Sequence, residues 1–239
     1  MDTNSPCRTP VIPKGTHRTC VDIFPFFPCI LIIAYGHPVK TSAEVTSVLS
    51  LTLHNLSIMS EKYKIGDPQI PHFITITVVK WLPIFKEVEL SKIILDSLQF
   101  CQKNKGLIIN AWCIMPSHVH LIICSNKDIS LSSIIRDFKK YTSIAITGHI
   151  NKTDNYKRYL KVFEFSGMKS SKHDKYKVGQ EGYHPIELSR NLMLDQRLEY
   201  LHYNPVIAGL VETPEEYELS SATNYYLTKT GPLQLEFIT

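Results

Sequence analysis

The chain has 239 residues, a formal net charge of +4, 44% hydrophobic and 20% charged residues. This composition excludes a disordered chain and leaves one well-cored domain with extensions, or two small domains, with one expected. The net charge is too small to prove an anionic partner, so its location matters more than its size.

Residues 151–181 hold eight basic side chains (Lys152, Lys157, Arg158, Lys161, Lys169, Lys172, Lys175, Lys177) against four acidic ones, an excess equal to the whole net charge. A solvated loop and a phosphate-contacting arm are both consistent with that run. The six cysteines form no C-x-x-C pair. They read as reduced core thiols of a cytoplasmic protein, neither zinc ligands nor disulfides.

Residues 1–58 lack sustained periodicity and are sprinkled with prolines. The run "IFPFFPCILIIAYG" is interrupted by Pro25 and Pro28 and is too short for a membrane span of about 20 residues. The expectation is a disordered or mis-annotated extension, with translation beginning at Met59, and a domain over residues 59–239.

From Met59 the pattern sharpens. "HFITITVV" (72–79) alternates and is β-branched, hence a strand. Residues 87–106 place Val88, Ile93, Ile94, Leu98 and Cys101 near one face and stop at Gly106, which predicts an amphipathic helix. "LIINAWCIM" (107–115) and "HVHLIICS" (118–125) are strands joined at Pro116-Ser117, a connection short enough to demand an antiparallel hairpin. Residues 130–147 form a second helix with Leu131, Ile134, Ile135, Phe138 and Ile144 apolar. A fourth strand near 160–165 or 176–186 would complete a ferredoxin-like split β-α-β unit, an α+β fold whose antiparallel sheet carries helices on one face. "MLDQRLEYLHYNP" (193–205) reads as a third helix, capped at Ser189 or Asn191 and broken by Pro205.

Within the second strand of the hairpin, His118 and His120 interrupt an apolar run. Alternate strand residues share a face, with Cα atoms about 6.5–7 Å apart. Two neutral imidazoles so placed can converge on one metal ion, although two half-exposed histidines on a solvated sheet face satisfy the same spacing.

"NAWCIMPSHVHLII" (110–123) together with "LEYLHYNPVIAGLVETPEEYELSSATNYY" (198–226) resembles the REP-associated tyrosine transposases, relatives of the IS200-like single-tyrosine transposases of the HUH group. The resemblance runs from about Met59 to the C-terminus. It implies a DNA strand transferase with a late helix carrying the nucleophilic tyrosine. His118 and His120 would bind Mg²⁺ or Mn²⁺, Tyr200 would be the nucleophile and Asn204 the third metal ligand. The implied substrate is single-stranded DNA bearing hairpin or palindromic ends, cleaved through a 5′-phosphotyrosine, by a monomer or a homodimer with no membrane partner.

Helical spacing agrees with that assignment: Tyr200 and Asn204 are i and i+4 and share a face, whereas Tyr203 points roughly 300° further round at about 100° per residue. Arg136, Lys139, Lys140, Lys152, Lys157 and Arg158 are the candidate DNA contacts, each of which is equally readable as ordinary surface charge. One departure is Gly179, in the run before His184-Pro185 where members of this subtype usually carry an aromatic residue. A hairpin-binding protein without catalysis and a metalloprotein using only the histidine pair are the competing readings.

Overall fold

In the computed structural model the described residues are 65–126, 129–153, 156–170, 175–227 and 229–237, all within a unit spanning Asn55–Thr239. The expectations for residues 1–58, and for a start at Met59, lie outside them. Four strands, β1 (His72–Thr77), β2 (Leu107–Met115), β3 (His118–Ser125) and β4 (Ile186–Glu187), form one sheet in the order β2-β3-β1-β4. Every pairing is antiparallel. With α1 (Val88–Lys105) between β1 and β2, and α2 (Leu131–Lys152) and α3 (Lys157–Met168) between β3 and β4, this is the ferredoxin-like arrangement.

Strand alternation builds a different core on each face of the sheet. Ile74, Val119, Leu121 and Ile123 pack with Leu90, Ile94 and Leu98 of α1 and with Ile134, Ile135 and Phe138 of α2. On the reverse face Phe73, Ile122, Ala111, Cys113 and Met115 pack with Leu194 and Leu201 of α4 (Asn191–Ile207). In β2 the register shifts between Ile109 and Ala111. The bulged residue, Asn110, is buried, donates from Nδ2 to the Glu236 carbonyl (2.8 Å), and its own carbonyl accepts from Tyr225 Oη (2.8 Å). One extra residue reverses strand parity, so Ile109 and Trp112 face the α1–α2 core while Ala111 and Cys113 face α4.

Several local expectations need correction. Residues 160–165 lie inside α3; the fourth strand is a two-residue pairing at Ile186–Glu187, at and just beyond the end of the 176–186 alternative. Part of the basic run is therefore helical, because Phe163 and Gly167 bury against the core and fix residues 157–168 as α3. On α1, Val88 is exposed and Leu90 takes the inward position; on α2, Ile144 is exposed. The third predicted helix neither starts on a side-chain cap nor breaks at Pro205. Its N-cap is Arg190, without a side-chain cap hydrogen bond. Pro205 is inside, and the helix ends at a Schellman motif in which Gly209 (φ +66°) donates to the Val206 carbonyl and Leu210 to the Pro205 carbonyl. A left-handed glycine, not the proline, stops the chain.

Cys101, Cys113 and Cys124 are free and buried. Burial pushes the Cys113 thiol up to about 12 and Cys124 to about 11, so both are protonated and inert. Among the described residues no helix is long and apolar enough to cross a membrane.

The segment after α4 covers the outer edge of β2. Ile114 N–H donates to the Leu219 carbonyl, Ser221 N–H to the Trp112 carbonyl, and Glu236 N–H to the Ile109 carbonyl. His202 ties α4 to that segment. It is fully buried, its Nε2 lies 2.9 Å from Ser221 Oγ, and its ring sits between Tyr225 and Tyr226.

Burial lowers the His202 pKa to about 3. The folded-state value lies below the unfolded one of about 6.5, so its contribution is complete above pH ~6.5 and is lost as pH falls from there toward 3. Urea midpoints of the metal-free protein should drop between pH 7 and 4. A His202→Gln variant should show a shallower slope, by up to about 1.4 kcal/mol per pH unit. Equal slopes in both proteins would refute this assignment.

Candidate active site

His118 and His120 project onto the α4 face because Val119 between them enters the opposite core, where it is fully buried. Their rings lie 4.6 Å apart, nearly perpendicular at 80°. Each has one nitrogen held by a neighbouring hydroxyl. Thr75 Oγ1, on the paired residue of β1, is 2.9 Å from His120 Nδ1, and Ser117 Oγ is 3.1 Å from His118 Nδ1. Such contacts fix ring orientation and, where Nδ1–H donates, leave the Nε2 lone pair available.

His120 Nε2 is buried without a hydrogen-bond partner. An orphaned polar atom of this kind costs about 1–3 kcal/mol, so its persistence is what a ligand position predicts. Burial lowers the His118 pKa to about 4. The His120 pKa falls well below the ordinary value, through burial first, then the nearby His118 and Arg197 charges. Both imidazoles are therefore neutral at pH 7 and chemically suited to a divalent metal. Among the described residues no group of three or more His, Cys, Asp or Glu side chains converges on one point.

Tyr200 reaches this pair from α4. Its ring meets His120 edge-on at 5.5 Å and Phe73 at 5.9 Å, while Phe73 stacks on His120 at 5.4 Å. The apolar contacts of Leu194 and Leu201 hold the helix against β2 and so set that approach. Tyr203, three residues on, is 42% exposed and stands away from the histidines. Asn204 is half-buried one turn beyond Tyr200 and makes no side-chain hydrogen bond to either histidine. The structure thus brings together His118, His120 and Tyr200, with Asn204 on the same helix.

Two residues of this cluster escaped sequence reasoning. Phe73 follows from β1 alternation once Ile74 is assigned inward, and Arg197 lies one turn before Tyr200 with its guanidinium 5.5 Å from the Phe73 ring centre. Trp81 closes the row at its other end, meeting His118 edge-on at 5.3 Å.

The candidate basic contacts are not gathered here. They lie on α2 and α3, whose buried residues belong to the opposite core. Arg136 pairs with Asp137 at 3.2 Å. Lys139 Nζ donates to the Gln180 and Gly182 carbonyls at 3.0 Å, tethering the 180–182 loop. Lys140 and Lys152 are exposed, as are Lys157 and Arg158 in the first turn of α3, with Arg158 3.2 Å from Tyr159 Oη. A Cβ on Gly179 would meet Lys139 Cε at 3.6 Å and the Thr77 carbonyl at 3.8 Å, both ordinary van der Waals contacts.

Sequence comparison now bears on the geometry. Residues 70–176 match the family described as Transposase IS200 like. That segment is therefore similar to IS200-like transposases. It includes His118 and His120, whereas Tyr200 lies beyond the matched residues. The chain is also similar to a REP-associated tyrosine transposase bound to a REP hairpin, at 15% identity and a TM-score of 0.47, over 74% of this chain and 91% of that one. A putative transposase from Deinococcus radiodurans R1 is similar at 17% identity and a TM-score of 0.32, over 58% of this chain and 98% of that one. No curated protein matches the sequence.

Proposed function

We propose that the protein cleaves and rejoins single-stranded DNA carrying hairpins, using Tyr200 as nucleophile. The observation that carries this reading is the edge-on contact of Tyr200 with His120, inside a chain whose transposase-like segment supplies the paired histidines. Tyr200 Oη would form a bond to the scissile phosphorus as the bond to the 3′-oxygen breaks. The phenolic proton is lost, the departing oxygen takes one up, and a 5′-phosphotyrosine and a 3′-hydroxyl remain. The exchange of one phosphodiester for another needs no ATP and reverses when a 3′-hydroxyl attacks the phosphotyrosine.

His118 and His120 would hold Mg²⁺ or Mn²⁺, with the Asn204 amide as a third protein donor. When bound, such an ion withdraws charge from the phosphate oxygens and makes the phosphorus a better electrophile. Arg197, beside Phe73 and one turn before Tyr200, adds positive charge on the same side. Arg136, Lys140, Lys152, Lys157 and Arg158 would contact the DNA backbone away from the chemistry, in the cytoplasm.

Incubation with Mn²⁺ and hairpin-bearing oligonucleotides should give a denaturant-resistant protein–DNA adduct. Binding without an adduct under any divalent ion would leave a hairpin-binding protein instead. The Thr75 hydroxyl gives a finer test. Thr75→Val keeps the side-chain shape but removes the group holding His120 Nδ1. Half-saturating Mn²⁺ for cleavage should rise about 10- to 100-fold, and an unchanged value would show that Thr75 does not orient a metal ligand.

A further inference from the structure

Trp81 sits on a backbone that has no local reason to be there. Lys80 and Trp81 have φ of +58° and +54°, the left-handed region that bulky residues avoid. The flanks are anchored. Val78, Val79, Ile84 and Phe85 are buried, Val78 N–H donates to the Ser117 carbonyl, Phe85 N–H to the Pro116 carbonyl and Val79 N–H to the Val178 carbonyl. The turn is thus pinned to the hairpin tip from which β3 begins, and only Lys80 and Trp81 project from it.

Anchoring of this kind usually serves to bury an apolar ring, yet Trp81 is 46% exposed. One edge contacts His118, so the indole ends the row His120–His118–Trp81 on the solvent side of the histidine pair. The adjacent surface carries positive charge: Lys80, next in the chain, is exposed, and the lysine-bearing helix α3 packs against this same turn. An exposed, rigidly presented indole beside a phosphate-handling site, with cationic surface next to it, matches how single-stranded nucleic acid is held: backbone on positive charge, base on an aromatic face.

We propose that Trp81 is a stacking platform for an unpaired nucleobase next to the scissile phosphate, on the His118 side. The inference rests on the DNA-cleavage reading above. Stacking accepts any base, so Trp81 positions the strand and leaves base identity to other contacts.

The chain's two tryptophans make this directly observable, because Trp112 is fully buried. The full-length protein is titrated in EDTA with a fluorescein-labelled hairpin oligonucleotide carrying single-stranded flanks, followed by anisotropy. The unlabelled oligonucleotide is followed by tryptophan emission. Expected is quenching that saturates with binding and vanishes in Trp81→Phe. Trp81→Ala should bind about tenfold more weakly or worse, with Trp81→Phe recovering most of the loss.

An abasic nucleotide scanned along each flank separates stacking from support of His118. At one position it should weaken the wild type to the Trp81→Ala level and leave Trp81→Ala unchanged. Anisotropy showing binding, with unaltered emission and a Trp81→Ala affinity within twofold of wild type, overturns the platform and leaves the cleavage reading standing. A Trp81→Ala loss that persists undiminished with every abasic probe also overturns it. Absence of any anisotropy change with wild-type protein overturns both readings together.

Discussion

Tyr200→Phe is expected to abolish the covalent protein–DNA adduct and lower strand cleavage by at least ~10³-fold, the scale on which removing an essential nucleophile acts. Phenylalanine retains the ring, so the edge contacts with His120 and Phe73 survive and α4 stays in place. Hairpin binding by anisotropy and the thermal midpoint should therefore be close to wild type. The control is Tyr203→Phe, which alters an exposed hydroxyl on another face of α4 and should leave adduct formation intact. An adduct that survives Tyr200→Phe and disappears with Tyr203→Phe would transfer the role to Tyr203 and overturn the proposal for Tyr200.

His120→Leu should separate function from stability in opposite directions. Cleavage dependent on Mn²⁺ is expected to fall by at least about 100-fold, since losing a metal ligand exceeds the 10- to 100-fold effect of losing its hydrogen-bonded support. The metal-free protein should be no less stable than wild type, and up to about 1–3 kcal/mol more stable. His120 holds an unpartnered Nε2 in a buried apolar setting beside Phe73, and leucine of similar bulk removes that cost. Urea unfolding in EDTA measures the second effect and Mn²⁺-dependent nicking the first. Retained cleavage alongside a destabilised fold would mean the imidazole serves packing, contrary to the metal-site reading.

Much of this was legible in the sequence where one local rule acts without competition. The β2–β3 hairpin follows from two apolar strands around Pro116-Ser117, and the histidine face follows from alternation alone. The basic run was harder, because lysines mask the buried spacing of Phe163 and Gly167 that makes α3 a helix. Pro205 was misleading for a different reason. The sequence around it also contains Gly209, and a Schellman glycine stops a helix more decisively than a proline near its end. The face of Phe73 was legible from alternation, but its place beside Tyr200, like that of Arg197, depends on where α4 crosses the sheet. That crossing is a tertiary property with no periodic signature. Trp81 was hidden by its backbone, as nothing in "VVKWLP" announces two consecutive left-handed residues.

The Asn110 bulge places Ala111 and Cys113, both small and fully buried, beneath α4. The depth to which that helix sinks onto the sheet is therefore gauged by a methyl group and a thiol that never meet DNA. A longer side chain at either position would lift the whole helix and lengthen the gap between Tyr200 and the imidazoles. Removing the bulge would rotate these shims out and bring the bulkier side chains of the other face under the helix. The reach of Tyr200 toward the imidazoles is a thickness machined into β2, adjustable without altering either partner.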